Sequence, residues 1–168
     1  MLVGASCWKL FMSLESVRAF LAEHAPDIAV IELENSTATV ALAAEGHGVS
    51  HGQIAKTLSL RQGNKVFLLV TRGDARLDNK KARAAFGGKV SMLSPEEVVA
   101  VTGHPVGGVC PFGLKSPLPI YCDVSLKAFG EVVPPPLSTT SAMRIDPLRI
   151  ADLTGAQWVD VCCDPPPL

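Results

Sequence analysis

The chain has 168 residues, 48% of them hydrophobic and 18% charged, with a formal net charge of -1. That length suits one domain with a substantial core and excludes two comfortable ones, and the near-neutral charge excludes a protein that grips long nucleic acid by overall charge alone. No apolar run approaches the ~20 residues that span a bilayer, and MLVGASCWKLFM has neither a basic leader nor a cleavage site, so a cytoplasmic protein without a membrane partner is expected.

From Ser13 to about His24, the residues Leu14, Val17, Phe20 and Leu21 recur at helical spacing with Pro26 just beyond, which predicts an amphipathic helix. IAVIEL, from Ile28 to Leu33, reads as a strand, and Thr39 opens an alanine-rich helix that stops at Gly46 or Gly48. Ser50 and Gln53 have capping-box spacing ahead of IAKTL, which predicts a helix with Ile54 and Leu58 inward and Lys56 on another face. KVFLLVT, from Lys65 to Thr71, is an apolar run of strand length. The segment after it, GDARLDNKKARAAFGG, reads as a loop, a basic helix and a glycine stop. Arg72, Arg76, Lys80, Lys81, Arg83 and Lys89 fall within eighteen residues there, a local basic patch or the solvated face of that helix.

SPEE at Ser94 to Glu97 predicts a helix start, with Ser as cap, Pro first and Glu third, and the helix ends at Gly103. The same punctuation returns fifty-two residues later, since SPEEVVAVTG and DPLRIADLTG share a cap, a proline, an apolar stripe and a terminal Thr-Gly. Between them LPIYCDV reads as a strand, SLKAF as a helical turn, and EVV as a short strand that three prolines interrupt. AMRI and WVDVC flank the last helix as short strands, and CDPPPL is a loose tail. Strands alternating irregularly with short helices predict an α/β (α+β) domain, a mixed sheet wrapped by short helices, over residues 13–161, with 1–12 and 162–168 as terminal segments.

Chemistry concentrates in TGHPVGGVCPFG, Thr102 to Gly113, where four glycines and two prolines fall within twelve residues without an acid, Lys or Arg. Gly lets a ligand approach the main chain and Pro fixes the path, while Val109, Cys110 and Phe112 ask for burial, so the segment reads as a rigid apolar loop presenting backbone donors. The five cysteines form no CxxC pair and read as reduced thiols; His47 and His51 are separated by Gly48 at a helix boundary, so no metal is expected. No serine elbow, P-loop, dinucleotide fingerprint or HExxH occurs, which leaves no expected cofactor. The glycine loop with Lys56 and the small residues Ser138 to Ala142 would suit acyl transfer to water, where donors stabilise an oxyanion.

QIAKTL at Gln53 to Leu58, GDARLDNKK at Gly73 to Lys81, TGHPVGGVCPFGL at Thr102 to Leu114 and LPIYCDVSL at Leu118 to Leu126 together resemble, in order and spacing, the YbaK-like aminoacyl-tRNA deacylases. That family includes the editing domain inserted in bacterial prolyl-tRNA synthetases and its free-standing relatives. The resemblance implies an editing-domain-like fold and hydrolysis of the ester that joins a wrong amino acid to the 3′-terminal adenosine of a tRNA, tRNA(Pro) first among candidates. By position, Lys56 matches the family's essential lysine, which meets phosphate at the tRNA terminus, and Gly107 and Gly108 match its paired glycines beside the scissile ester. Asp78 with Lys80 or Lys81 matches the family's RVDxxK-like segment, where a cap or ion-pair role is expected of Asp78.

His104, Val109, Pro111 and Phe112 flank the glycine pair and are the expected substrate-binding residues there, His104 without a catalytic role. The chain departs from many relatives at PPPLSTTSAMRI, with Leu137 and Thr139 where they carry Gly and Pro; Ser138, Thr139 and Thr140 are therefore candidate specificity residues. The expected partners are the acceptor end of an aminoacylated tRNA and possible help from prolyl-tRNA synthetase. Two other readings stay open: a non-catalytic module that binds tRNA ends or a synthetase, and an ester hydrolase acting on a small metabolite.

Overall fold

The computed structural model describes residues 5–28, 31–32, 44, 48–104, 109–134 and 141–163. Helix α1 runs Ala5–His24, eight residues further towards the N-terminus than the apolar spacing from Ser13 predicts, and its Val17 and Leu21 enter the main core. Strand β1 is Ile31–Glu32, inside the predicted strand, and of the predicted alanine-rich helix only Ala44 lies among the described residues, in helical conformation.

The segment from Ser50 departs most from expectation. Ser50 caps a single 3-10 turn, His51–Gln53, without a side-chain bond, and IAKTL then opens strand β2, Ala55–Gln62, instead of a helix. The reason is tertiary: β2 pairs in antiparallel register with all of β3, Lys65–Arg72, from Ala55 opposite Arg72 to Gln62 opposite Lys65. Helical spacing of Ile54 and Leu58 cannot compete with eight paired residues beside an apolar strand that needs neighbours on both edges. Lys56 consequently shares a face with Leu58 and Leu60.

After β3 come β4, Arg76–Leu77, and helix α2, Asn79–Phe86, whose cap Asp78 accepts hydrogen bonds from the backbone N–H groups of Lys80 and Lys81. Strand β5, Ser91–Met92, precedes α3, Pro95–Thr102, which opens on the full Ser94/Glu97 capping box. Strand β6, Ile120–Asp123, leads into a 3-10 turn, Val124–Ala128. Strand β7, Ser141–Ala142, then α4, Pro147–Thr154, β8, Gln157–Val159, and β9, Cys162–Cys163, complete the order. Helices α3 and α4 carry the repeated punctuation as predicted, a Ser or Asp cap followed by Pro and a closing glycine.

The central sheet has the order β5-β2-β3-β6-β8, antiparallel on its β5-β2-β3 side and parallel from β3 to β8, so it is mixed. Two small sheets, β1-β7 and β4-β9, tie the flanks down, the second using Cys162–Cys163 as part of the fold. Alternation along β3 sends Leu68 and Val70 into the main core with α1, Phe112 and Ile150, and Phe67 and Leu69 into a second core with Ala82 and Val161. Phe67, Phe86 and Tyr121 close that second core with ring centroids 4.5 to 5.4 Å apart, each contact adding about 0.5–1.5 kcal/mol beyond burial. Among the described residues no helix is long and apolar enough to cross a membrane.

Candidate active site

Lys56 stands one residue inside β2, on the second-core face, and its side chain is half-buried. Its Nζ donates to the Ala75 carbonyl over 2.6 Å. Burial pushes its pKa below the ordinary 10.5; the Cys162 thiol and Asp74 oppose that shift and Arg76 adds to it. An ammonium that has shed part of its water and is held by one neutral carbonyl keeps donors for an incoming anion.

The carbonyl that holds Lys56 belongs to a locked turn. Ala75 N–H donates to the Arg72 carbonyl at 3.2 Å, and across the turn the Arg72 guanidinium grips the Asp74 carboxylate with two bonds, 2.6 Å from Nε and 2.8 Å from Nη2. Arg72 also lies over the Phe129 ring, 5.3 Å from its centroid. Its bonds hold the Asp74 carboxyl below the usual carboxylate range, so the pair is charged at neutral pH. Gly52 packs directly on this pair: a Cβ there would fall 2.8 Å from Arg72 Nη2, 3.0 Å from Phe129 Cζ and 3.1 Å from Asp74 Oδ1. A 3-10 turn, a β-turn and a ring thus converge on the entrance to β2.

Buried Asp123 orders the neighbouring strand ends. Its carboxylate accepts from the N–H of Ser125 at 3.0 Å and of Val161 at 2.9 Å, and burial, with Asp123 adding to it, pushes the Cys162 thiol up to about 12. Cys110, Cys122, Cys162 and Cys163 are free thiols. No three His, Cys, Asp or Glu side chains among the described residues converge as metal ligands.

Gly107 and Gly108 lie outside the described residues, while both feet of their loop lie within them. Thr102 donates its hydroxyl to the Val98 carbonyl at 2.7 Å and receives the His104 N–H at 3.0 Å. The fully buried His104 ring joins the feet, its Nε2 3.0 Å from the Phe112 carbonyl, which makes Nε2–H the donor. Burial lowers the His104 pKa against the raising effect of that bond. Val109 and Phe112 belong to the main core, where Phe112 stacks on Phe20 with centroids 5.4 Å apart. Pro111 is buried and lines a groove with Phe20, Leu114, Leu118 and Leu153. Gly113, at φ +64°, seats the second foot so closely on α1 that a Cβ would fall 2.7 Å from the Ser16 carbonyl.

Ser138, Thr139 and Thr140 also lie outside the described residues, and again the flanks are fixed. Ala55 N–H donates to the Val133 carbonyl at 2.7 Å, and Val133 N–H donates to the Gln53 carbonyl at 2.9 Å, so buried Val133 is fixed against the start of β2, the strand that carries Lys56. Val132 and Ile145 exchange bonds of 2.8 and 2.9 Å and pair the two flanks. The structure therefore anchors Val133, ahead of 135–140, on the strand that carries Lys56, whereas Val109 and Phe112 pack on the sheet face opposite the Lys56 side chain. Sequence reasoning missed Gly52, Asp74, Asp123 and Phe129. The available signal was Arg72-Gly-Asp74 directly after an apolar strand, a spacing that lets an ion pair bridge a turn.

A family model described as the aminoacyl-tRNA editing domain matches residues 34–153. YwhH of Bacillus subtilis (strain 168), an uncharacterized protein, is 48% identical over 91% of this chain and 99% of its own length. EbsC of Enterococcus faecalis, described as a candidate Cys-tRNA(Pro)/Cys-tRNA(Cys) deacylase, is 31% identical over 70% of this chain and 73% of its own. A crystal structure described as a candidate trans-editing enzyme for prolyl tRNA synthetase superposes with a TM-score of 0.82 at 35% identity, covering 89% of this chain and 96% of that one. The four ordered motifs, the mixed sheet that carries Lys56 and these likenesses lead to one conclusion: the chain belongs to the aminoacyl-tRNA editing domain family.

Proposed function

We propose that this chain, an aminoacyl-tRNA deacylase by family, acts in trans on tRNA(Pro) carrying a small wrong amino acid, namely alanine, serine, threonine, cysteine or an analogue. The observation that carries the reading is Lys56, a half-buried ammonium fixed on the Ala75 carbonyl at 2.6 Å, a charge suited to the terminal phosphate of a tRNA. The names of two similar proteins, one referring to Cys-tRNA(Pro) and the other to prolyl tRNA synthetase, support the choice of tRNA, and a synthetase partner would supplement the modest attraction of a chain with net charge -1.

In the proposed reaction Lys56 anchors the 3′-terminal phosphate and a water attacks the ester carbonyl. The N–H groups of Gly107 and Gly108 stabilise the oxyanion while a hydroxyl of the terminal ribose assists as proton carrier. The carbon–water bond forms and the ester carbon–oxygen bond breaks. One proton of the water ends on the ribose oxygen, which releases the free amino acid and a tRNA with both terminal hydroxyls restored. His104, Val109, Pro111 and Phe112 hold the loop and bound its apolar side, and Ser138, Thr139 and Thr140 select the amino acid. Hydroxyls on that segment matter because a purely apolar pocket separates one methylene by only about 1–3 kcal/mol.

Incubation with a panel of aminoacylated tRNAs, followed for loss of the ester, tests the reading. Cleavage of a mischarged tRNA(Pro) is expected, and cleavage of none overturns it. Binding without cleavage would indicate a tRNA-end module, and cleavage confined to small acyl esters a metabolite hydrolase.

A further inference from the structure

We infer that β4 and α2 form the docking surface for the phosphate backbone of the tRNA acceptor stem, an inference that rests on the function proposed above. Charge is divided unevenly along the chain. Residues 72–89 hold six Lys and Arg against two Asp, whereas the remainder holds nine against fourteen acids. A chain with a net charge of -1 thus concentrates its positive charge in one short stretch, and the fold puts that stretch next to Lys56.

The acids near the stretch are already engaged. Asp74 is gripped by Arg72, Asp78 accepts the N–H groups of Lys80 and Lys81 as the cap of α2, and Asp160 takes the Lys81 ammonium at 3.0 Å. Arg76, Lys80, Arg83 and Lys89 are exposed, and no salt bridge engages them among the described residues. Elsewhere, half-buried Arg61 pairs with Glu97 and Arg149 with Asp27.

Orientation follows from α2 itself. Ala82 is buried in the second core and Phe86 packs against it, so the helix turns Lys80 and Arg83 outward. Three residues apart, these two are neighbours on the helix surface, about 5–6 Å between Cβ atoms, a spacing suited to successive phosphates. The track also has a direction. Lys56 holds the Ala75 carbonyl, Arg76 is the next residue, and Lys80 and Arg83 lie on the following helix, so positive charge leads away from the site of the 3′ end. Duplex RNA is met through phosphates and 2′-hydroxyls, which such a row of cations reads without base preference.

The test compares wild type with the double variant Lys80→Ala/Arg83→Ala, neither residue belonging to the ester-cleaving site. Three readouts are taken: binding of uncharged tRNA across a salt series, cleavage of full-length mischarged tRNA, and cleavage of the same aminoacyl ester on a short CCA fragment. The variant should bind tRNA roughly tenfold more weakly at low salt, with a slope of log affinity against log salt shallower by about 1.5, since each neutralised phosphate contributes about 0.7–0.9. Cleavage of full-length tRNA should fall through KM, cleavage of the CCA fragment should be unchanged, and Lys80→Arg/Arg83→Lys should restore binding. Unaltered tRNA binding and salt slope, or equal losses on tRNA and on the fragment, overturn the inference. A wild type that binds tRNA through these residues yet cleaves no ester keeps the inference and removes the proposed function.

Discussion

The Lys56 corner and the feet of the glycine loop solve opposite problems. At the corner charged side chains do the holding: Lys56 on Ala75, Arg72 on Asp74, with Gly52 and Phe129 pressed against the pair. At the feet everything is neutral and buried, with Thr102 and His104 bonded to backbone and Phe112 stacked on Phe20. A phosphate needs a fixed but unspent charge, which requires an ion pair beside it to lock the turn. A backbone oxyanion site needs a loop that cannot tilt, which packing and carbonyl bonds secure best. Side-chain charge should therefore govern function at the corner, and backbone shape should govern stability at the feet.

The largest test removes the corner's charge. Lys56→Ala should lower kcat/KM on mischarged tRNA by roughly 10²–10³, the scale of losing one preorganised transition-state contact, with an unchanged unfolding midpoint. A large stability loss in that variant would erase the contrast. At the feet, Gly113→Ala combines a left-handed φ of +64° with contacts of 2.7 Å to α1 backbone. It should destabilise the fold by about 2–5 kcal/mol in urea titration, from conformational strain and overpacking together.

A smaller effect separates positioning from structure. Asp74→Asn keeps the shape of the turn but removes the carboxylate that raises the Lys56 pKa, so the alkaline loss of activity should move to lower pH and kcat should fall roughly tenfold. An unmoved pH profile would make Asp74 a purely structural residue. The smallest effect concerns His104, whose folded pKa lies below its ordinary 6.5. Below 6.5 the unfolded chain takes up a proton that the folded chain resists, so the stability present above pH 6.5 is lost as pH falls from there towards the depressed folded value. His104→Gln, which can still donate to Phe112, should flatten that acid limb in denaturation measured between pH 7.5 and 5; an unchanged limb would show that His104 does not set it.

Much of this organisation is legible in the residue order, and the failures are informative. The caps of α3 and α4 are read correctly because Ser94-Pro-Glu-Glu and Asp146-Pro act within one helical turn. Lys56 stands out through its motif, yet its element is misread, since Ile54 and Leu58 have helical spacing and only pairing with β3 makes them strand residues. Arg72 is visible as one of six basic residues, but its bond to Asp74 and the need for Gly52 depend on a turn conformation that composition does not disclose.

The order of residues alone determined the helix boundaries set by local caps, the apolar strand that begins at Lys65, and the four ordered motifs that point to the family, because each depends on neighbours a few positions apart. Tertiary structure alone decided that IAKTL is a strand, that Val133 runs beside Ala55, and that Asp160 takes the Lys81 ammonium. These outcomes rest on hydrogen bonds and charges contributed by distant parts of the chain, and such partners meet only when the chain has folded.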